Sequence, residues 1–148
     1  MALRKKVKTN GVEYWQISPK LREIEENLYL LKKGVRGAYM MTLTGYNVRY
    51  TFGCGGPEDL LETLEDKIKE LKEVVREHGL YFYSYVLAHD EYDQDDEDTA
   101  VVWIYRFPHQ GEIIRSLKGD HSYTEEWMIG KLLGYDDYAM EEFLKKNF

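Results

Sequence analysis

With one cysteine in 148 residues, the chain can build no internal disulfide framework, and a cysteine-rich structural zinc site is excluded for the same reason. Proline is as scarce, at three. Pro19 and Pro57 sit where helices would begin and Pro108 where a strand must end. Long apolar runs are missing too. None approaches the roughly 18 residues a membrane helix needs, and no apolar stretch of signal-peptide length follows the basic opening residues Met1 to Lys8. The expectation is therefore a cytoplasmic protein with no membrane partner. Aromatic residues, by contrast, are plentiful at 14%, and 13 of them are tyrosine. Disordered chains are poor in such residues, so this one should fold. Its length suits a single domain, 1–148, able to bury roughly two thirds of its unfolded surface.

Bases are absent where acids are densest. Seven carboxylates, Asp90, Glu91, Asp93, Asp95, Asp96, Glu97 and Asp98, follow one another with no lysine or arginine between them. The formal net charge is −7, so without this segment the chain is formally neutral. Carboxylates so crowded repel one another and stay hydrated, which makes the segment a solvated loop or a docking element for a cation or a basic protein.

Hydrophobic periodicity supplies the architecture. Asn10-Gly11 between 3–9 and 12–17 is a type I′ hairpin signal, with Val7 opposite Tyr14 and Lys8 opposite Glu13. Ser18-Pro19 opens a helix whose stripe is Leu21, Ile24, Leu28 and Leu31, stopped by Gly34. A second hairpin is expected from 38–44 and 47–52, turning near Gly45-Tyr46. A second helix should start at Pro57 and carry Leu61, Leu64, Ile68, Leu71, Val75 and His78, with Glu58 and Asp59 at its positive end. The third hairpin, 80–89 and 99–107, is apolar or aromatic on both faces, as a central strand pair covered on each side would be. A short helix over 112–117 follows. The tail then forms a helical pair, one helix capped by Ser122 with Glu125 as capping-box acid and one capped by Asp136. The fold class is α+β: an antiparallel sheet built from three β-hairpins (ββα-ββα-ββ) packed on two amphipathic helices, with a C-terminal helical pair.

Chemical motifs are few. The turn Gly53-Cys54-Gly55-Gly56-Pro57 could offer backbone N–H groups to an anion, but no Lys-Ser/Thr follows and Glu58 and Asp59 would repel phosphate. Cys54 before a helix start could ionise, yet no base can be placed beside it from sequence, so no catalytic residue is assigned. The Asp93-x-Asp95-x-Glu97 run lacks the glycine and the bidentate glutamate of a calcium loop, and no metal or cofactor is expected. Direct DNA or RNA binding is disfavoured by the acidic balance, since only Arg4, Lys5, Lys6 and Lys8 beside Tyr14 and Trp15 form a basic face. Tyrosines on alternate strand positions suit either half-buried core or an interface.

The closing stretch Trp127-Met128-Ile129-Gly130-Lys131-Leu132-Leu133-Gly134-Tyr135, with Phe143-Leu144, resembles the tails of small uncharacterised phage and prophage proteins. The resemblance is confined to that helical tail and implies no catalytic residue. It implies a phage-encoded protein of the host cytoplasm acting on a host factor, a defence factor among them, as an inhibitor. The leading expectation is thus a non-enzymatic binding protein whose partner has a basic surface. The acidic segment supplies charge, and the third hairpin, through Tyr85 and Trp103, supplies apolar area. The alternative is a nucleotide or small-ligand binder or hydrolase in which Tyr50 and Tyr83 stack a base and Arg36, Arg49 and Arg106 pair phosphate near Cys54. A virion component is a third reading, and self-association is compatible with the two apolar faces of the third hairpin.

Overall fold

Two-residue and 3.6-residue periods resolve into five strands and five helices in the computed structural model, which describes residues 3–46, 63–87 and 97–148. In chain order these are β1 (Arg4–Thr9), β2 (Val12–Ile17), α1 (Pro19–Lys32), β3 (Ala38–Tyr46), α2 (Leu64–Glu77), β4 (Tyr81–Val86), β5 (Glu97–Tyr105), α3 (Pro108–Ser116), α4 (Tyr123–Leu132) and α5 (Asp137–Asn147). No helix among the described residues is long and apolar enough to cross a membrane.

The α+β class holds, but the hairpins are apportioned between two antiparallel sheets. β1 and β2 form a sheet of their own, and the other is ordered β3-β5-β4. The first hairpin has the expected register, with Val7 opposite Tyr14 and Lys8 opposite Glu13. Its turn is the expected one, since Asn10 and Gly11 both have positive φ, 52° and 79°. β3 does not turn at Gly45-Tyr46. It runs on through Tyr46 and pairs along its length with β5, Ala38 opposite Tyr105 and Tyr46 opposite Glu97. The expected return strand 47–52 lies outside the described residues.

β5 is central because neither of its faces tolerates water. Ala100, Val102 and Ile104 point into one layer with Leu43 and the α1 stripe Leu21, Ile24, Leu28 and Leu31, all buried, and with Leu71, Val74 and Val75 of α2. Val101, Trp103 and Tyr105 point into the other, against Ala38, Ile114 of α3 and Leu132 of α4. Each such side chain contributes about 1.5–3 kcal/mol on leaving water.

Other boundaries also differ from the periodic expectation. α2 begins at Leu64 and not at Pro57, because extended Thr63 is its N-cap, its side chain accepting a hydrogen bond from Asp66 N. Glu65 and Asp66 therefore fill the first turn, while Pro57, Glu58, Asp59 and Leu61 lie outside the described residues. Pro108 starts α3 as well as ending β5, since a proline suits the first helical turn. Finally, β5 begins at Glu97, so Glu97 and Asp98 are ladder residues opposite Tyr46 and Gly45 and not part of a free loop.

Gly45 is where α2 meets the sheet. A Cβ there would lie 2.7 Å from both the Cα and the backbone N of Leu64. Because the obstacle is backbone, it cannot rotate away, and Gly45→Ala should cost about 1–3 kcal/mol in urea unfolding as an overpacking substitution.

The first hairpin is tied to α2 at its base. Leu3 is buried and its N–H donates to Glu70 Oε2 at 3.2 Å. Arg4 donates through both Nη atoms to the Glu77 carboxylate at 2.9 and 2.7 Å, and its guanidinium lies 4.2 Å from the Trp15 ring centre. Hydrogen bonding from Arg4, and its charge, hold the Glu77 carboxyl below the usual carboxylate range. A depressed carboxyl stabilises the fold above its unfolded pKa and stops doing so as pH falls through the folded value. Glu77 is largely exposed, so the effect at neutral pH should be about 1 kcal/mol or less. Acid titration should loosen the hairpin, seen as a change in Trp15 emission below the ordinary carboxylate range, and Glu77→Gln should remove that step.

Candidate functional site

The second face of the β3-β5-β4 sheet is incompletely covered. Tyr81, Tyr83 and Tyr85 alternate along β4 and so share that face with Trp103 and Val101, their cross-strand partners being Tyr105, Trp103 and Val101 in turn. α3 and α4 cover β5 and Ala38 of β3, and α3 also packs against β4. Towards the far end of β4 they leave an open groove of about 660 Å³. Trp103, only 2% exposed, lies along it with Met40, its neighbour on β3. Tyr83 is half-buried, Tyr85 is 44% exposed, and Leu87 stands at the lip. Ile114, Leu117 and Ile129 form the helical wall.

Polar groups are confined to the rim, on the connection between α3 and α4 and the first turn of α4. Glu125 is buried, and its Oε1 accepts hydrogen bonds from the backbone N–H groups of Lys118 at 2.8 Å and Gly119 at 3.0 Å. Oε2 accepts from Asp120 N at 3.3 Å. Glu125 was expected to close a capping box on Ser122. Instead Ser122 N donates to Asp120 Oδ1, and the longer Glu125 reaches past it to three earlier amides that have no helical partner. The Ser122 backbone N–H, 2.9 Å from Oδ1, favours the ionised Asp120 carboxyl and holds it below its usual range. The next residue, His121, adopts the left-handed region at φ 54°, and its Nδ1 lies 3.0 Å from Glu126 Oε1 at the groove mouth.

Of the residues expected to bind, the structure brings Tyr83, Tyr85 and Trp103 to one groove. Arg36 and Arg106 are elsewhere. Both flank the end where β3 starts and β5 finishes, Arg36 donating to Asn27 Oδ1 at 3.2 Å and Arg106 lying 5.1 Å from the Phe107 ring centre. The aromatic groove runs from the middle of the sheet towards the other end, so these two arginines do not reach its lining. Glu97 and Asp98 lie in β5 at that other end, Glu97 exposed and Asp98 buried. Asp90, Glu91, Asp93, Asp95 and Asp96 lie outside the described residues, as do Arg49, Tyr50 and Cys54.

Met40, Leu87 and the pair His121–Glu126 join the site without having been read from the sequence. Met40 faces Trp103 only because β3 pairs with β5 across a long separation, which no local pattern announces. The groove floor is apolar and aromatic, and its rim is polar. Its described lining contains no Ser, Thr or Cys, and no group of three or more His, Cys, Asp or Glu among the described residues is placed to hold a metal.

Glu125 shapes the rim, and its removal should be felt there. Glu125→Ala leaves three amides to find water and should destabilise by about 1–3 kcal/mol. Glu125→Gln, which keeps one acceptor oxygen, should lose less. Urea denaturation orders the two, and exchange rates of the Lys118, Gly119 and Asp120 amides should rise in the alanine variant first.

Compared with known proteins, the chain matches no family model, no curated protein and no solved structure.

Proposed function

We propose that the protein is a non-enzymatic binding module that captures a segment of a partner protein carrying aromatic or aliphatic residues flanked by bases. The observation that carries this reading is the open groove of about 660 Å³ walled by Tyr83, Tyr85 and Trp103. Tyrosine and tryptophan bring large apolar area at small rotamer entropy, the composition favoured at the centre of interfaces. The acidic segment supports the same reading by its connectivity. In sequence it lies between Leu87, at the groove lip, and the β5 residues that begin with Glu97 and Asp98. Bases beside the apolar anchor would meet those carboxylates, which adds specificity and speed of association more than affinity. With the resemblance of the tail to phage proteins, the partner in this reading is a host factor and the outcome of binding is its inhibition.

The nucleotide alternative needs stacking aromatics and phosphate-pairing arginines in one place; Arg36 and Arg106 stand away from the tyrosines of the groove, and Arg49, Tyr50 and Cys54 lie outside the described residues. The protein-binding reading is therefore the stronger.

An arginine-flanked Phe-Leu peptide is a suitable probe, with Trp103 emission followed in a Trp15→Phe, Trp127→Phe background. Binding should weaken by about tenfold or more in Tyr85→Ser, a change at a residue exposed enough to leave folding intact. It should also weaken steeply with salt, and when Asp95→Asn, Asp96→Asn and Glu97→Gln are combined. A peptide that leaves Trp103 emission unchanged, while a nucleotide or cyclic nucleotide raises the melting temperature by several degrees, would replace this reading with the alternative.

A further inference from the structure

The β1–β2 hairpin has two outer edges, and they are built differently. β1 reads Arg-Lys-Lys-Val-Lys-Thr, four bases in six residues, whereas β2 reads Val-Glu-Tyr-Trp-Gln-Ile with Glu13 its only charge. Lysines along an edge discourage further strands from adding to it, and β2 has none. Five of the six β2 residues are exposed, including Val12 at 62%, Tyr14 at 48% and Trp15 at 45%. Among the described residues no strand pairs with either outer edge. A two-stranded sheet is marginal in water unless a further strand or a helix supports it, and α2 supports this one at its base, through Leu3 and Arg4.

The register determines which backbone groups are available. A two-residue I′ turn closes on a hydrogen-bonded pair, here Thr9–Val12, and bonded pairs then alternate through Val7–Tyr14 and Lys5–Gln16. The N–H and C=O groups of Glu13, Trp15 and Ile17 consequently point outward. From this arrangement we infer that β2 is a self-association edge, and that two copies of the chain pair β2 with β2 into a four-stranded antiparallel sheet ordered β1-β2-β2-β1.

The sequence of β2 suits a second copy. A two-fold axis perpendicular to the sheet and passing beside Trp15 uses all three outward residues of each strand. Trp15 then meets its own counterpart, Glu13 meets Ile17, and Tyr14 meets Gln16, so no like charges oppose each other. On the face shared by Lys6 and Trp15, the order across the sheet is lysine, tryptophan, tryptophan, lysine. The two lysines stand three strand spacings apart, about 14 Å, beyond the Debye length of about 8 Å at physiological salt. Both new outer edges are β1, so the same lysines that guard the monomer stop the assembly at two copies. This inference is independent of the groove, whose peptide binding reports on a different surface.

Light scattering and sedimentation of the full chain over a range of concentrations test it. The expected mass at high concentration is twice 17.6 kDa, falling on dilution, with the Glu13, Trp15 and Ile17 amides protected from exchange only in the dimer. Glu13→Pro removes an outward N–H without touching a β1–β2 bond, and Glu13→Lys places a guard on the open edge. Each should raise the dimer dissociation constant by about tenfold or more, and the lysine variant serves if the proline one unfolds. A mass of 17.6 kDa at every concentration, assemblies larger than two, or a dimer unaffected by Glu13→Lys would overturn it.

Discussion

Burial of β5 on both faces is the constraint the rest of the molecule answers to. Val101, Val102, Trp103, Ile104 and Tyr105 are consecutive and all buried, so this strand can occupy neither an edge nor a solvated face. It requires a strand on each side, supplied by β3 and β4, and a layer over each face. α1 and α2, of fourteen residues each, close the first face. The second is left to α3 and α4, of nine and ten residues. Those helices cover Ala38, Trp103 and Tyr105 but do not extend over Tyr85 and Leu87. The groove is the uncovered part of that second layer, which is why its wall is core-like in composition and its rim is polar.

Much of this was legible wherever neighbours in sequence are neighbours in space. Ser18 and Pro19, the stripe from Leu21 to Leu31, the Asn10-Gly11 turn and the caps Ser122 and Asp136 all act within a few residues, and each is found as read. What the sequence hid depends on distance along the chain. That β3 flanks β5, and that the first hairpin stands alone, follow from how the buried strand recruits partners, not from any local period. The start of α2 was misplaced because Pro57 and Thr63 are both acceptable start signals, and the Thr63 side chain makes the cap. Glu125 was read at the right helix but with the wrong partners. A capping-box acid needs only the preceding turn, whereas this one satisfies the connection from Lys118 to Asp120. The site was half visible for the same reason. Tyr83, Tyr85 and Trp103 come from one hairpin, while Met40, Ile129 and His121 reach them only through tertiary packing.

Charge is organised by the same framework. Glu97 and Asp98 belong to the β3–β5 ladder, so the positions of these two acids are set by a register that also places Gly45 beneath α2. At the opposite end of the charge scale, Arg4 is the base that links the first hairpin to the body. It does so as a bidentate pair with Glu77 while lying over Trp15. Because guanidinium is planar, it can serve a carboxylate with its edge and an aromatic ring with its face, which a lysine in the same position could not.

That anchorage determines how the outer β2 edge and the groove relate. The hairpin is held to the body through Glu70 and Glu77 of α2, and α2 packs on the first face of the central sheet. The groove opens on the second face, under α3 and α4. The β2 edge and the groove between Tyr85 and Ile129 therefore share no residue. In a β2-paired dimer both grooves would remain open, and each chain would present one. A partner with two basic, apolar segments would then be held by two sites at once, the second engaging at the effective concentration set by the first. Pairing through an edge kept clear of the groove would thus give the proposed binding module a route to avidity without enlarging the groove itself.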